Sequence, residues 1–205
     1  MSVRVKICGI TSEEDALLAV EAGADALGFI FYERSSRFIS PDNAKAIISK
    51  LPPFIARVGV FVNAPADQIE RAIEQGGINV IQLHGDETAE FAAQFSIPVI
   101  KAIRVKNHES ISTLATFQSS AFLLDSYVEG QLGGSGATFN WTLAGKAKDL
   151  GRPIILAGGL TPLNIREAIR TVQPYGVDVS SGVEHSPGKK DAAKVSEFIS
   201  NAKTA

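Results

Sequence analysis

The sequence predicts an α/β fold, a single-domain (β/α)8 TIM barrel over residues 1–205. Three observations predict it. Short apolar runs alternate with amphipathic helical patterns from end to end, eight runs in all. Most of these runs are nearly continuous in apolar residues, as parallel strands covered on both faces require. The length suits one such domain, and no linker, low-complexity tract or second composition zone interrupts it. An open doubly wound sheet is the alternative. It normally has fewer strands and a sequence asymmetry at its switch point.

The predicted strands are "VRVKIC" (3–8), "ALGFIF" (26–31), "ARVGVFV" (56–62), "VIQLH" (80–84), "PVIKAI" (98–103), "AFLLD" (121–125), "PIILAG" (153–158) and "GVDVSS" (176–181). Helices with readable starts lie between them. "TSEED" has Thr11 and Glu14 at capping-box spacing. "SPDNAKAIISKL" supplies Ser40 as N-cap and Pro41 at the first helical position. Its Ala44, Ile47, Ile48 and Leu51 recur at i, i+3, i+4, i+7. "HESISTLATF" puts Ile111, Leu114 and Ala115 on one face, and Asn140 is placed to cap the sixth helix. "TPLNIREAIRTV" repeats the Ser-Pro device with Thr161 and Pro162, and the last helix carries Val195, Phe198, Ile199 and Ala202.

Composition narrows the partners. A net charge of −2 argues against a general nucleic-acid binder while allowing a local basic pocket. A single cysteine forbids an intrachain disulfide and fits a reducing cytoplasm. "MSVRVKICGI" has no signal-peptide core, and no apolar run is long enough to span a membrane. No element stands out as an interface, so a monomer is the expected state.

In such a barrel the chemistry sits at the carboxyl ends of the strands. Cys8, His84, Arg104, Asp125, Gly158, Gly159, Ser180 and Ser181 all end or follow a predicted strand, so they should share one mouth. The loops after strands seven and eight form the usual phosphate site of this fold. Here they read "AGGLTPLNI" (157–165), with Gly158 and Gly159, and "DVSSGVE" (178–184), with Asp178, Ser180, Ser181 and Gly182. Glycine lets backbone N–H groups approach an anion closely. A tight turn would explain one such loop; two at the expected places point to phosphate.

Other mouth residues are open to more than one reading. Asp125 opens a long glycine-rich loop of the kind used as a lid, and by position it is either a loop-capping carboxylate or an acid. Arg34 and Arg37 in "YERSSRFISP" (32–41) offer planar forks for carboxylate or phosphate, though a solvated surface arginine is the commoner outcome. His84 can be a base, a ligand contact or a structural hydrogen-bonder, with the structural role favoured. The scattered histidines and the lone cysteine have no metal-ligand spacing, so no metal is expected. Free cysteine is more often a small buried hydrophobe than a catalyst. Cys8, however, ends strand one beside the expected amino end of helix one, where a thiol pKa can fall from about 8.5. Paired with Asp125 across the mouth, it would make a base and an acid.

The chain resembles the phosphoribosylanthranilate isomerase family almost end to end. The resemblance rests on "KICGIT" (6–11), "GADALGFIFYERSSRFIS" (23–40), "RVGVFVN" (57–63), "QLHGDE" (82–87), "LLDS" (123–126), "GGSGATFNW" (133–141), "AGGLTPLNI" (157–165) and "VDVSSGVEHSPGKKD" (177–191). It implies an Amadori rearrangement in tryptophan biosynthesis, run without cofactor or metal. It also implies Cys8 as general base, Asp125 as general acid, Arg37 on the anthranilate carboxylate, and Gly158–Gly159 with Ser181–Gly182 on the phosphate. His84, Asp178 and Ser180 complete the candidate substrate contacts. Two positions depart from the family pattern: Asn140 stands where aspartate is usual, and Ala137 where lysine is frequent.

The alternatives are other phosphosugar barrels. An epimerase would need metal-ligating side chains at several strand ends. An indole-glycerol-phosphate synthase would need a catalytic lysine, for which Lys6 and Lys101 are the candidates. A non-catalytic phosphosugar-binding barrel would have no reason to keep both Cys8 and Asp125.

Overall fold

Strand pleating sends successive side chains to opposite faces, and in this chain that alternation sorts two cores. Residues 2–105, 108–126 and 141–205 are described by the computed structural model. Eight parallel strands close into a barrel in chain order: β1 (Arg4–Cys8), β2 (Ala26–Ile30), β3 (Ala56–Phe61), β4 (Val80–Leu83), β5 (Val99–Val105), β6 (Ala121–Ser126), β7 (Ile154–Leu156) and β8 (Gly176–Val179). Val58, Ile100, Ala102, Ala121, Leu123, Ile155 and Ala157 fill the barrel interior. Ile7, Leu27, Phe29, Phe61, Ile81, Leu83, Phe122, Leu124 and Leu156 face outward, beneath the helices. On β6 the rows interleave: Ala121 in, Phe122 out, Leu123 in, Leu124 out. Asp125 therefore falls on the inward row at the strand's end. By the same count Lys6 and Cys8 are the inward residues of β1.

The helices are α1 (Glu13–Glu21), α2 (Pro41–Ile48), α3 (Ala66–Gly76), α4 (Ala89–Ala92), α5 (His108–Ser112), α6 (Trp141–Lys146), α7 (Ile165–Val172) and α8 (Ala192–Lys203). A short hairpin, β9 (Glu184–Ser186) and β10 (Lys189–Lys190), precedes α8. Among the described residues no helix is long and apolar enough to cross a membrane.

Ser40 caps α2 as expected, accepting from the Asn43 N–H, with Pro41 opening the helix. Three local expectations are corrected. Ser12, not Thr11, caps α1, because Thr11 Oγ1 donates instead to the Gly188 carbonyl of the hairpin. The seventh helix begins at Ile165 rather than Pro162. The Asn164 carboxamide accepts from the Thr161 N–H at 2.8 Å and donates to the Gly159 carbonyl at 2.9 Å, folding 159–164 into a clasped turn. Ala115 is exposed while Ile111 and Leu114 are buried. The chain tightens into a 3-10 turn at Thr113–Thr116, and its three-residue period carries Ala115 off the buried face. Asn140 and Ala137 lie outside the described residues.

Asp25 ties the lower rim together. Its carboxylate accepts from Arg4 Nη1 at 2.8 Å, from the Val5 N–H at 2.8 Å, and from Lys203 at the end of α8. Burial raises its pKa, but the hydrogen bonds from Lys203, Val5 and Arg4 outweigh that and hold it below 3.8. A carboxylate whose pKa is depressed by folding adds stability above its unfolded pKa and loses it as pH falls through the folded value. Asp25→Asn should therefore cost about 1 kcal/mol at pH 7, solvent screening included. Urea melts should show the gap to the native protein closing below pH 3.8.

Candidate active site

The upper mouth holds a cavity of about 440 Å³. Every candidate site residue inferred from the sequence lines it: Cys8, Arg37, His84, Asp125, Gly158, Gly159, Asp178, Ser180, Ser181 and Gly182 all border the space. Gln82, Arg34, Arg104, Tyr32 and the serines Ser35 and Ser36 join them.

Cys8 is the last residue of β1, and Gly9 follows at φ 76°, turning the chain away. The Gly9 and Ile10 N–H groups both donate to the Gly28 carbonyl at 3.0 Å, anchoring this turn to β2. A Cβ on Gly28 would stand 2.6 Å from Cys8 Sγ, so glycine makes the room the sulfur occupies. Burial pushes the thiol pKa up; Lys6 pulls it down, Asp178 pushes it up, and Lys190 pulls it down. The net shift is upward, opposite to the lowering expected from helix one. That helix starts only at Glu13, and Glu13, Glu14 and Asp15 crowd its first turn, offsetting its positive end.

Asp125 stands across the barrel on β6, 8 % exposed, with Oδ2 3.3 Å from His84 Nε2. Gln82 Nε2 lies 3.0 Å from His84 Nδ1. With Nδ1 accepting from that amide, the ring hydrogen sits on Nε2, the nitrogen 3.3 Å from the Asp125 carboxylate. His84 thus stands beside Asp125 and is a wall of the cavity.

The two glycine loops interlock. Gly158 and Gly159 take φ of 81° and 63°, a region open to glycine, and Asn164 clasps the loop from below. A Cβ on Gly182 would lie 1.9 Å from the Leu160 carbonyl oxygen, so the loops after β7 and β8 touch backbone to backbone. Ser180 Oγ and Gln82 Oε1, on two residues that line the cavity, are buried without a hydrogen-bond partner among the described residues. Buried polar atoms are rarely left so, and these two suit a polar ligand.

Arg37 carries a partner the sequence did not reveal. Its Nε and Nη2 hold Glu184 at 2.7 and 2.6 Å in a two-pronged pair. The Glu184 hydrogen bond raises the Arg37 pKa, so the guanidinium stays charged. Glu184 is in turn held by Lys190 Nζ at 2.9 Å, and the same ammonium donates to the Cys8 carbonyl at 2.6 Å. Among the described residues the pairing leaves Arg37 Nη1 without a hydrogen-bond partner, on a side chain that lines the cavity. The turn signal "SPGK" (186–189) marks the hairpin that brings Glu184 and Lys190 together, and it alone could have suggested them.

This arrangement defines a class: a (β/α)8 barrel with a polar cavity at its strand-end mouth, bordered by a thiol, a carboxylate and two glycine loops. The chain matches the model of the family described as N-(5'-phosphoribosyl)anthranilate (PRA) isomerase over residues 5–201. A relative of that name from Geobacter metallireducens is 56% identical over 201 residues, covering 98% of this chain and 99% of the relative. The crystal structure of phosphoribosyl anthranilate isomerase from Thermotoga maritima is 46% identical and superposes with a TM-score of 0.94, covering 99% of this chain and 100% of that one. A further structure of such an isomerase, in complex with reduced 1-(o-carboxyphenylamino)-1-deoxyribulose 5-phosphate, is 45% identical with a TM-score of 0.90, covering 99% and 100% of the two chains. The chain belongs to the PRA isomerase family.

Gly182→Ala should force the two glycine loops apart, because the new methyl would meet backbone rather than a yielding side chain. Steady-state kinetics with the family's substrate should show KM raised about tenfold or more, roughly 1.4 kcal/mol of lost binding, with a smaller change in kcat.

Proposed function

We propose that this chain converts N-(5'-phosphoribosyl)anthranilate into 1-(2-carboxyphenylamino)-1-deoxyribulose 5-phosphate, an Amadori rearrangement in tryptophan biosynthesis. The observation that carries it is the placement of Cys8 and Asp125. They end the inward rows of β1 and β6, on opposite sides of one cavity, in a chain of this family. The reduced product bound to the solved relative has the phosphate, open sugar and benzoate that such a cavity must take.

The residue types suit each step. Asp125 gives its proton to the ribose ring oxygen as the C1–O bond breaks, leaving an iminium. The aspartate that results is an anion, and His84 Nε2–H is placed to donate to it. Cys8, as thiolate, takes the proton from C2; the C–H electron pair becomes the C1=C2 bond and neutralises the iminium nitrogen. Tautomerisation of the enolamine gives the ketone. The iminium is itself the electron sink. A placed acid or base is worth roughly 10² to 10⁴ in rate. The phosphate, gripped away from the reacting bonds by the loops around Gly158–Gly159 and Ser181–Gly182, orients the sugar. Arg37, steadied by Glu184, turns Nη1 toward the anthranilate carboxylate.

The synthase alternative weakens on geometry. Lys6 is paired with Asp178 at 2.9 Å and Lys101 with Glu87 at 2.7 Å, and neither borders the cavity. A monomer acting in the cytoplasm, with no nucleic-acid or membrane partner, remains part of this proposal. A relative from Thermotoga maritima is described as dimeric, so light scattering on this protein decides that part.

Purified protein given freshly generated phosphoribosylanthranilate should remove its fluorescence far faster than the uncatalysed reaction; an uncatalysed rate would sink the assignment. Cys8→Ser and Asp125→Asn should each lower kcat by about 10² or more and leave binding of the reduced product analogue near normal. Near-normal kcat in Cys8→Ala would return the thiol to a packing role. Arg37→Ala should act chiefly on KM.

A further inference from the structure

Lys6 is a buried cation that the reaction as derived leaves idle. It is 4 % exposed, inside the barrel, two residues before Cys8 on the same inward row. Its Nζ sits 2.9 Å from Asp178 Oδ1, which faces it across the β1–β8 register. A Cβ on Gly28 would meet Cys8 Sγ at 2.6 Å and Lys6 Nζ at 3.0 Å, so the sulfur and the ammonium flank the same bare patch of β2. The charge of Lys6 is close enough to pull the Cys8 pKa down. A buried ion pair is a poor source of stability compared with apolar residues of similar volume. The barrel interior is otherwise filled by apolar residues such as Val58, Leu123 and Ile155, which makes this charged pair the exception there. Lys101–Glu87, by contrast, holds the Gly85 carbonyl of a loop and has a structural reason to exist.

We propose that Lys6 is a positioning residue for the base, its ammonium lying under the Cys8 sulfur as the counter-charge of the thiolate and being anchored there by Asp178. This rests on the reading of Cys8 as base. During the step, S–H forms and C2–H breaks, the freed pair becomes C1=C2, and the iminium nitrogen is neutralised. Lys6 keeps its proton throughout and passes its hydrogen bonding back to Asp178 when the sulfur becomes neutral. The charged groups facing Cys8 are Lys6 on β1, Asp178 on β8, Lys190 on β10 and Arg37 from the loop after β2. Lys6 is the largest of those that favour the anion. Asp178 thereby reads as the anchor of Lys6 first and a cavity wall second.

Cys8 is the sole cysteine, so alkylation by iodoacetamide reports on it alone. The pH dependence of that alkylation should be followed in the native protein, in Lys6→Met and in Asp178→Asn. Lys6→Met should move the midpoint up and slow alkylation at pH 7 about tenfold or more, one pH unit being tenfold in thiolate. The acid limb of kcat should move with it. Asp178→Asn should move the midpoint down, because the ammonium loses its competing acceptor. Opposite shifts from the two partners of one pair are not what packing damage produces. An unchanged midpoint in folded Lys6→Met, or shifts of the same sign, would overturn the proposal. If Lys6→Met does not fold, the uncharged double variant Lys6→Met/Asp178→Asn takes its place; its midpoint should lie above that of Asp178→Asn, and equal midpoints overturn the proposal. Alkylation needs no turnover, so a native protein without isomerase activity would overturn the function while these shifts still decide the role of Lys6.

Discussion

A closed parallel barrel gives each strand one inward row, and the last inward residue of a strand has nowhere to face but the mouth. Much of this site follows from that constraint. Lys6 then Cys8 on β1, Gln82 then His84 at the end of β4, and Leu123 then Asp125 on β6 are pairs one pleat apart. In each the upper member meets the cavity, and of the lower members Lys6 and Leu123 lie in the barrel below it while Gln82 also reaches its wall. A shift of one residue in any of these strands would bury the functional group among the helices and turn an isoleucine or leucine to the substrate. The outward row of large apolar residues, Ile7, Leu83 and Leu124 among them, holds the register by what it would cost to expose.

Beneath the mouth a second layer of polar contacts ties separate loops into one unit. Lys190, fully buried at its side chain, reaches the Cys8 carbonyl, the Ser180 carbonyl and Glu184. Through Glu184 it fixes the fork of Arg37. One ammonium thus connects the thiol's strand end, the loop after β8 and the arginine of the loop after β2. Removing one partner of such a buried set typically costs about 3 to 5 kcal/mol because the other charge is left stranded. The short β9–β10 hairpin carries both Glu184 and Lys190 to this contact.

Much of this was legible in the sequence, and the rest was hidden for physical reasons. Strand placement could be read because each strand is covered on both faces and spells a continuous apolar run. The mouth residues could be read because strand ends are what such runs define. Ser40–Pro41 was legible as a helix start because nothing competes for the serine. Thr11 and Thr161–Pro162 misled because other hydrogen-bonding groups intervened: the distant hairpin carbonyl of Gly188 took Thr11, and Asn164, three residues on, clasped the turn ahead of α7. The Arg37–Glu184 pair joins residues 147 positions apart, and no local pattern announces such a bond. The thiol's pKa direction was misread for the same reason. Helix polarity is a local signal, whereas the burial of Cys8 and the nearby Asp178, which push the pKa up, are tertiary.

The central claim is that Cys8 and Asp125 face one sugar from opposite sides while the two glycine loops hold its phosphate. A crystal structure of this protein with reduced 1-(2-carboxyphenylamino)-1-deoxyribulose 5-phosphate tests it most directly. The expected result is Cys8 Sγ about 3 to 3.5 Å from C2. Asp125 should face the oxygen freed by ring opening, and the phosphate should lie between Gly158–Gly159 and Ser181–Gly182. A phosphate bound elsewhere in the mouth, or a sulfur turned away from C2, would contradict the account.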